Sequence, residues 1–175
     1  RWADKHGKSR QFGHEQGSSN VYGIFLSCIK LDINTATFFA MSSENMNRPK
    51  EETEFISILL DNSIKKHLKD LLDNQIKFTV IGDLSHLPEN IKNTIEYAET
   101  VTSKFTKYRL NIAYNYGGQW DVLNSINTLL NNNLTISYEN LSKHLSTGND
   151  FPDLIVRTGG YKRLSNFMLW QAAYS

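Results

Sequence analysis

Three groups of residues in this chain have the types and spacing to do chemistry, and all three favour anionic ligands. Arg157-Thr158-Gly159-Gly160 is followed by Arg163 and Ser165. Ser42-Ser43-Glu44-Asn45 leads to Arg48. Arg1, Trp2, Arg10, Gly13 and His14 crowd the start. Arginine presents a planar fork of donors that matches phosphate oxygens, small hydroxyls add further donors, and glycines let backbone amides come close to an anion. Two separate arginine groups suit two phosphorylated ligands, or one long one. A single Arg or His is more often a surface residue, so the weight lies in their coincidence near strand ends.

Other chemistries are disfavoured. The chain has no G-x-x-x-x-G-K-[ST] phosphate loop, no G-x-G-x-x-G dinucleotide turn, no G-x-S-x-G elbow and no H-E-x-x-H pair. Its histidines, His6, His14, His67, His86 and His144, lack metal-ligand spacing, and Cys28 is the single cysteine, which excludes an internal disulfide and favours a reducing, cytoplasmic setting. With 19 Lys and Arg against 18 Asp and Glu, the net charge of +1 gives no global attraction to nucleic acid. An anion site must therefore be local. No apolar run reaches the roughly 20 residues that span a bilayer.

These residues need elements to position them. At 175 residues and 39% hydrophobic content, the chain fits one domain with one sizeable core. Val21, Ile24, Phe25, Cys28 and Ile29 recur at helical spacing after Gly17, and Ile33 to Met41 reads as a buried strand. Phe55, Ile56, Leu59, Leu60, Ile64, Leu68, Leu71 and Leu72 describe a long amphipathic helix opened by Pro49. Strand 76–82, helix 88–103, strand 108–113, a helix through Val122 to Leu130, helix 138–145, strand 153–156 and a closing helix 166–174 complete the pattern. Strands alternating with helices predict an α/β fold: a single domain with a mainly parallel central sheet and helices on both faces. Ligands of such sheets gather at the carboxyl ends of the strands.

The order of the segments resembles the cis-prenyltransferases of the undecaprenyl diphosphate synthase type. The resemblance rests on Arg1-Trp2-Ala3, Arg10, Gly13-His14, Ser42-Ser43-Glu44-Asn45 with Asn47-Arg48-Pro49, Asn115-Tyr116-Gly117-Gly118, Arg157-Thr158-Gly159-Gly160, Arg163 to Phe167, and Leu169-Trp170-Gln171. It covers nearly all of residues 1–175. It implies a Mg-dependent transferase, usually a homodimer, that condenses isopentenyl diphosphate with farnesyl diphosphate or another allylic diphosphate into a long cis-polyprenyl diphosphate such as the undecaprenyl lipid carrier. Contact with a membrane surface is expected through the product.

By the same resemblance, Arg1, Trp2, Arg10, Gly13 and His14 serve the allylic diphosphate, while Arg157, Arg163 and Ser165 hold that of isopentenyl diphosphate. Ser42 and Asn45 lie near the reacting carbons and Arg48 orders their loop. The family's first motif is normally D-G-N-x-R-W, and a glutamate follows A-Y-S; these two metal-associated carboxylates fall outside the chain given, so this stretch alone is expected to be inactive and to supply no metal ligand. Three positions depart from the family: Tyr161 replaces a common glutamate, Met46 a tryptophan and Gln119 an arginine. A non-catalytic partner subunit is the alternative, disfavoured because such partners lose most of these motifs.

The growing hydrocarbon needs an apolar wall, and the long helix offers Phe55, Ile56, Leu59 and Leu60, although core and channel sides of an amphipathic helix look alike in sequence. Replacing Leu59 or Leu60 by Trp should shorten the product, as read by chain-length analysis; unchanged length in a normally stable variant would remove the channel role.

Overall fold

The computed structural model describes residues 2–175; Arg1 lies outside the described residues. Three strands, β1 (Thr35–Phe39), β2 (Ile76–Ile81) and β3 (Tyr108–Ala113), form one open parallel sheet in the order β1-β3-β2. The helices are α1 (Trp2–Lys5), α2 (Arg10–Lys30), α3 (Lys50–Asp73), α4 (Glu89–Thr102), α5 (Gly118–Asn131) and α6 (Tyr138–His144), with 3-10 turns at Ser43–Asn47 and Gln171–Tyr174. The expected α/β alternation is present, on a small sheet. No helix among the described residues is long and apolar enough to cross a membrane.

Local physics explains most boundaries. In β2, Ile76, Phe78 and Val80 are buried and alternate with half-buried Lys77 and Thr79, the period of two that a pleated strand requires. Along α3, Ile56, Leu60, Ile64 and Leu71 are buried at helical spacing, Lys50–Glu54 pair one turn apart at its exposed start, and Lys65 reaches back one turn to the buried Asp61. Pro49 and Pro88 stand immediately before α3 and α4. Ser9 and Ser137 cap α2 and α6, their hydroxyls accepting the N–H groups of Phe12 and Asn140.

The chain divides into two compact units. The first holds the residues up to Phe38, Asn45–Val80 and Leu84–Ile112. In it α3 packs against α2 and α4, and α1 against α2. Glu99 on α4 accepts the N–H of Val80 at 2.7 Å, and burial raises its carboxyl above the usual range. The second unit holds Phe39–Glu44, Ile81–Asp83 and Ala113–Ser175. Its core gathers Ile81, Ala113, Tyr116 and Met168, with Phe39, Trp120 and Phe167 against them. Its polar anchor is Asp121, only 1% exposed, which accepts the Tyr116 hydroxyl at 2.8 Å, the N–H and hydroxyl of Ser146 at 2.9 and 2.7 Å, and Gln171 Nε2 at 3.0 Å. Burial, then the adjacent Asp121 carboxylate, pushes the Tyr116 phenol well above its ordinary value, so it remains a donor.

Three expectations are corrected. The second helix begins at Arg10 rather than after Gly17, because Ser9 caps it there and the helix runs on through Gly13 and Gly17. Residues 153–156 form no strand: Leu154 and Val156 are 75% and 76% exposed, and none of the three strands pairs with this run. An apolar run signals a strand only when a neighbour completes its ladder. The closing helix 166–174 is replaced by turns and the 3-10 turn at Gln171–Tyr174, since Ser165, Asn166 and Met168 take positive φ of 53°, 62° and 45°, which no right-handed helix accommodates.

Gly82 is the strictest point of the sheet end. Its φ of 126° is open to glycine, and a Cβ there would lie 2.0 Å from the Tyr114 carbonyl oxygen. Gly82→Ala should destabilise the protein by at least about 3 kcal/mol by urea denaturation; a loss below about 1 kcal/mol would show that the backbone relaxes there.

Candidate active site

Beyond the formal ends of the strands, parallel pairing continues. Ala40 and Met41 donate to the Ala113 carbonyl, Tyr116 N–H to Met41 O at 3.1 Å, Ser43 N–H to Tyr116 O at 2.9 Å, and Asp83 N–H to Asn115 O at 3.2 Å. Ser42 is thereby held in an isolated parallel bridge with Tyr116, at 8% exposure. Backbone pairing, rather than helix or loop propensity, fixes the start of the Ser42–Asn45 segment.

Within the second unit the stretch Phe39–Glu44 meets a partner that sequence reading missed. Asn166 donates its amide to Glu44 Oε1 at 2.6 Å, accepts the Gln119 N–H on its side-chain oxygen at 3.0 Å, and takes the Gly118 N–H on its backbone carbonyl at 2.6 Å. The double glycine makes room for it: a Cβ on Gly117 would lie 2.5 Å from Ser43 Oγ and 2.6 Å from Asn166 Nδ2, and one on Gly118 would lie 2.7 Å from Leu169 N. Burial acts to raise the Glu44 carboxyl, but hydrogen bonds from its own backbone and from Asn166, Ser42 and Ser43 outweigh it and hold the group below its usual value. The Ser42 hydroxyl thus faces an ionised carboxylate. The depressed value makes Glu44 a weaker proton acceptor than an ordinary glutamate, suited to orienting and polarising the hydroxyl.

The last predicted group closes on itself. Arg157 Nη1 donates to Ser165 Oγ at 2.7 Å and to the Arg163 carbonyl, while the Arg157 and Arg163 guanidiniums lie 6.0 and 5.0 Å from the Tyr161 ring centroid. Gly159 and Gly160, at φ 85° and 76°, provide the turn. Arg157, Arg163 and Ser165 are therefore brought together in an exposed loop, and the ring of Tyr161, where a carboxylate is common, meets both cations by its face.

In the first unit two of the residues expected at the allylic diphosphate, Arg10 and His14, converge with Arg48, expected to order the Ser42–Asn45 loop, on a residue the sequence did not suggest. Glu52 in the first turn of α3 accepts Arg48 Nη1 at 2.7 Å and His14 Nε2 at 3.2 Å on Oε1, and Arg10 Nη1 at 3.3 Å on Oε2. Arg10 and His14 are one turn apart on α2, and Arg48 is four residues before Glu52, so each pair shares a face. Burial opposes ionisation of Glu52, yet the His14 and Arg48 contacts, with Arg10, hold its carboxyl below the usual range. Trp2, 52% exposed, stacks on His6 at 4.4 Å and on Phe12 at 6.2 Å. Gly13 donates its N–H to Ser9, and its missing side chain admits the Ala3 methyl. Asn45 is half-buried in the 3-10 turn. Of the proposed channel residues, Ile56 and Leu60 are buried, and Phe55 and Leu59 half-buried.

No group of three or more His, Cys, Asp or Glu side chains that could hold a metal occurs among the described residues.

A family model of undecaprenyl diphosphate synthases, the prenyltransferase family, matches residues 1–175. A ditrans,polycis-undecaprenyl-diphosphate synthase specific for (2E,6E)-farnesyl diphosphate, from Buchnera aphidicola, is 40% identical over all of this chain and 73% of its own length. A geranylgeranyl-diphosphate-specific tritrans,polycis-undecaprenyl-diphosphate synthase from Thermoplasma acidophilum is 39% identical over all of this chain and 72% of its own. Among solved structures, lavandulyl diphosphate synthase from Lavandula x intermedia, in complex with dimethylallyl diphosphate, superposes with a TM-score of 0.88 at 32% identity, covering 97% of this chain and 77% of its own. The chain belongs to the undecaprenyl diphosphate synthase family of prenyltransferases.

The Asn166 clamp has a test with a defined pH signature. Asn166→Asp keeps the acceptor for Gln119 but places a second carboxylate against the exposed Glu44, and should cost about 0.5–1 kcal/mol at pH 7. The repelling pair has raised pKa values, so the deficit should shrink as pH falls through the carboxylate range and an O–H donor returns. The native Glu44, with its depressed value, contributes stability above the ordinary carboxylate pKa and loses it as pH falls through the folded-state value. A deficit of the variant relative to the native protein that narrows as pH falls through the carboxylate range is the expected result in thermal melts; a deficit independent of pH would remove the clamp.

Proposed function

We propose that this chain condenses isopentenyl diphosphate with an allylic diphosphate, with farnesyl diphosphate as the starter and a long cis-polyprenyl diphosphate of the undecaprenyl class as the product. The single observation that carries the reading is the family match along residues 1–175, with the motif residues it spans folded into two cationic clusters rather than scattered. In the reaction the allylic C–O bond breaks and diphosphate leaves with the electron pair. The alkene of isopentenyl diphosphate forms the new C–C bond to the allylic carbon, and loss of a proton restores a double bond.

The side chains have distinct tasks in this scheme. Arg10, His14 and Arg48, with Arg1 and Trp2, take the allylic diphosphate and stabilise the charge that grows on it as it departs. Arg157, Arg163 and Ser165 take the diphosphate of isopentenyl diphosphate through charge-assisted hydrogen bonds. Ser42, oriented by Glu44, and Asn45 lie by the carbons that lose the proton. Phe55 and Leu59, half-buried on α3, and Ile56 and Leu60, buried on the same helix, are the channel candidates. Mg is proposed as the ion that neutralises the leaving diphosphate when bound. A homodimer and contact with the membrane through the product complete the reading. Retention of both arginine clusters argues against a non-catalytic partner subunit.

The test is incorporation of labelled isopentenyl diphosphate by the natural protein with farnesyl diphosphate, with and without Mg, with products resolved by chain length. Mg-dependent long cis-polyprenyl products are expected. A folded protein that incorporates no label would overturn the enzyme reading in favour of the partner subunit.

A further inference from the structure

Among the described residues, Glu52 is the one side chain whose ion pairs reach Arg10, His14 and Arg48 together, and nothing in the proposed reaction uses it directly. Its carboxylate is 11% exposed, whereas the side chains of Arg10, Arg48 and His14 are 69%, 36% and 28% exposed. A long exposed arginine samples many rotamers, and holding it in one has an entropic cost that a binding event must otherwise meet. Glu52 meets that cost in the absence of ligand: Oε2 fixes Arg10 from α2, and Oε1 fixes His14 from α2 together with Arg48 from the segment leading into α3. Each guanidinium has five N–H donors, and the ion pair with Glu52 engages Nη1 of each. Donors remain for an arriving anion.

We infer that Glu52 is a positioning residue for the allylic diphosphate, setting the spacing of Arg10, His14 and Arg48 without itself contacting substrate. The inference rests on the proposed function for the identity of that substrate. Because all three partners belong to the allylic group, the effect of losing Glu52 is confined to one of the two substrates. A merely structural glutamate would affect both alike, and a glutamate that occupies the anion's own place would tighten binding when removed.

Steady-state kinetics of Glu52→Gln and Glu52→Asp in the natural protein, varying each substrate against saturating levels of the other, separate these cases. E52Q should raise the KM for farnesyl diphosphate by roughly 10- to 100-fold, the scale on which groups that orient direct ligands act. The KM for isopentenyl diphosphate should stay within about twofold. E52D, which keeps the charge one methylene short, should recover part of the loss. An unchanged or lowered allylic KM, or an equal rise in both KM values, overturns the inference. If the native protein incorporates no label, the proposed function fails by itself, and calorimetric titration of inorganic pyrophosphate then decides about Glu52: weaker binding by E52Q than by the native protein supports positioning, equal or tighter binding overturns it. Should E52Q fail to fold, E52D carries the same comparisons, with a smaller rise confined to the allylic substrate as the supporting result and no selective rise as the overturning one.

Discussion

The central place of β3 is the constraint on which the remainder rests. Because β3 lies between β1 and β2, its hydrogen bonds on both sides must be satisfied at once, and Leu110–Ala113 is accordingly buried where β1 is only half-buried throughout. Pairing carries on past Ala113 to Tyr116 on one side and Asn115 on the other. The segments that leave the three strands are thus set in register before any side chain is considered. That register places Ser42 beside Tyr116, lets Gly82 pass the Tyr114 carbonyl, and delivers Gly117 and Gly118 where Asn166 needs them.

Carboxylates then complete each unit in a similar physical way. Asp121 is buried and fully committed to its own fold, drawing in a phenol, a serine and a glutamine. Glu44 and Glu52 remain nearer to solvent; Glu44 collects donors from Asn166, Ser42 and Ser43, and Glu52 from Arg10, His14 and Arg48. In all three cases a single acceptor organises several donors, and for Asp121 and Glu52 this is the arrangement in which a buried or half-buried charge is tolerated.

How much of this the sequence disclosed depends on the range of the interaction. Strand 108–113 and the helices on α3 and α4 were legible because their periodicity is local and strong, and the motif order disclosed the family. The start of α2 was hidden by Gly13 and Gly17, which read as a loop but lie in a helix capped by Ser9. Leu154, Ile155 and Val156 have strand-like composition, yet composition is silent on whether a neighbour exists. Glu52 looked like one more acidic residue in a first helical turn, where glutamates are common for the sake of the helix alone. Its partners on α2 lie 38 and 42 residues away, and Asn166 is 122 residues from Glu44. No spacing rule reaches so far.

The shared carboxylate also shapes what the first cluster can sense at a distance. Two guanidiniums and one carboxylate leave one net positive charge when His14 is neutral, while the donor count is that of three side chains. The field reaching beyond a Debye length of about 8 Å is therefore modest, and strong recognition begins only at contact. Such a cluster draws few stray anions from solution and sorts those that arrive by the number and placement of their oxygens rather than by charge alone.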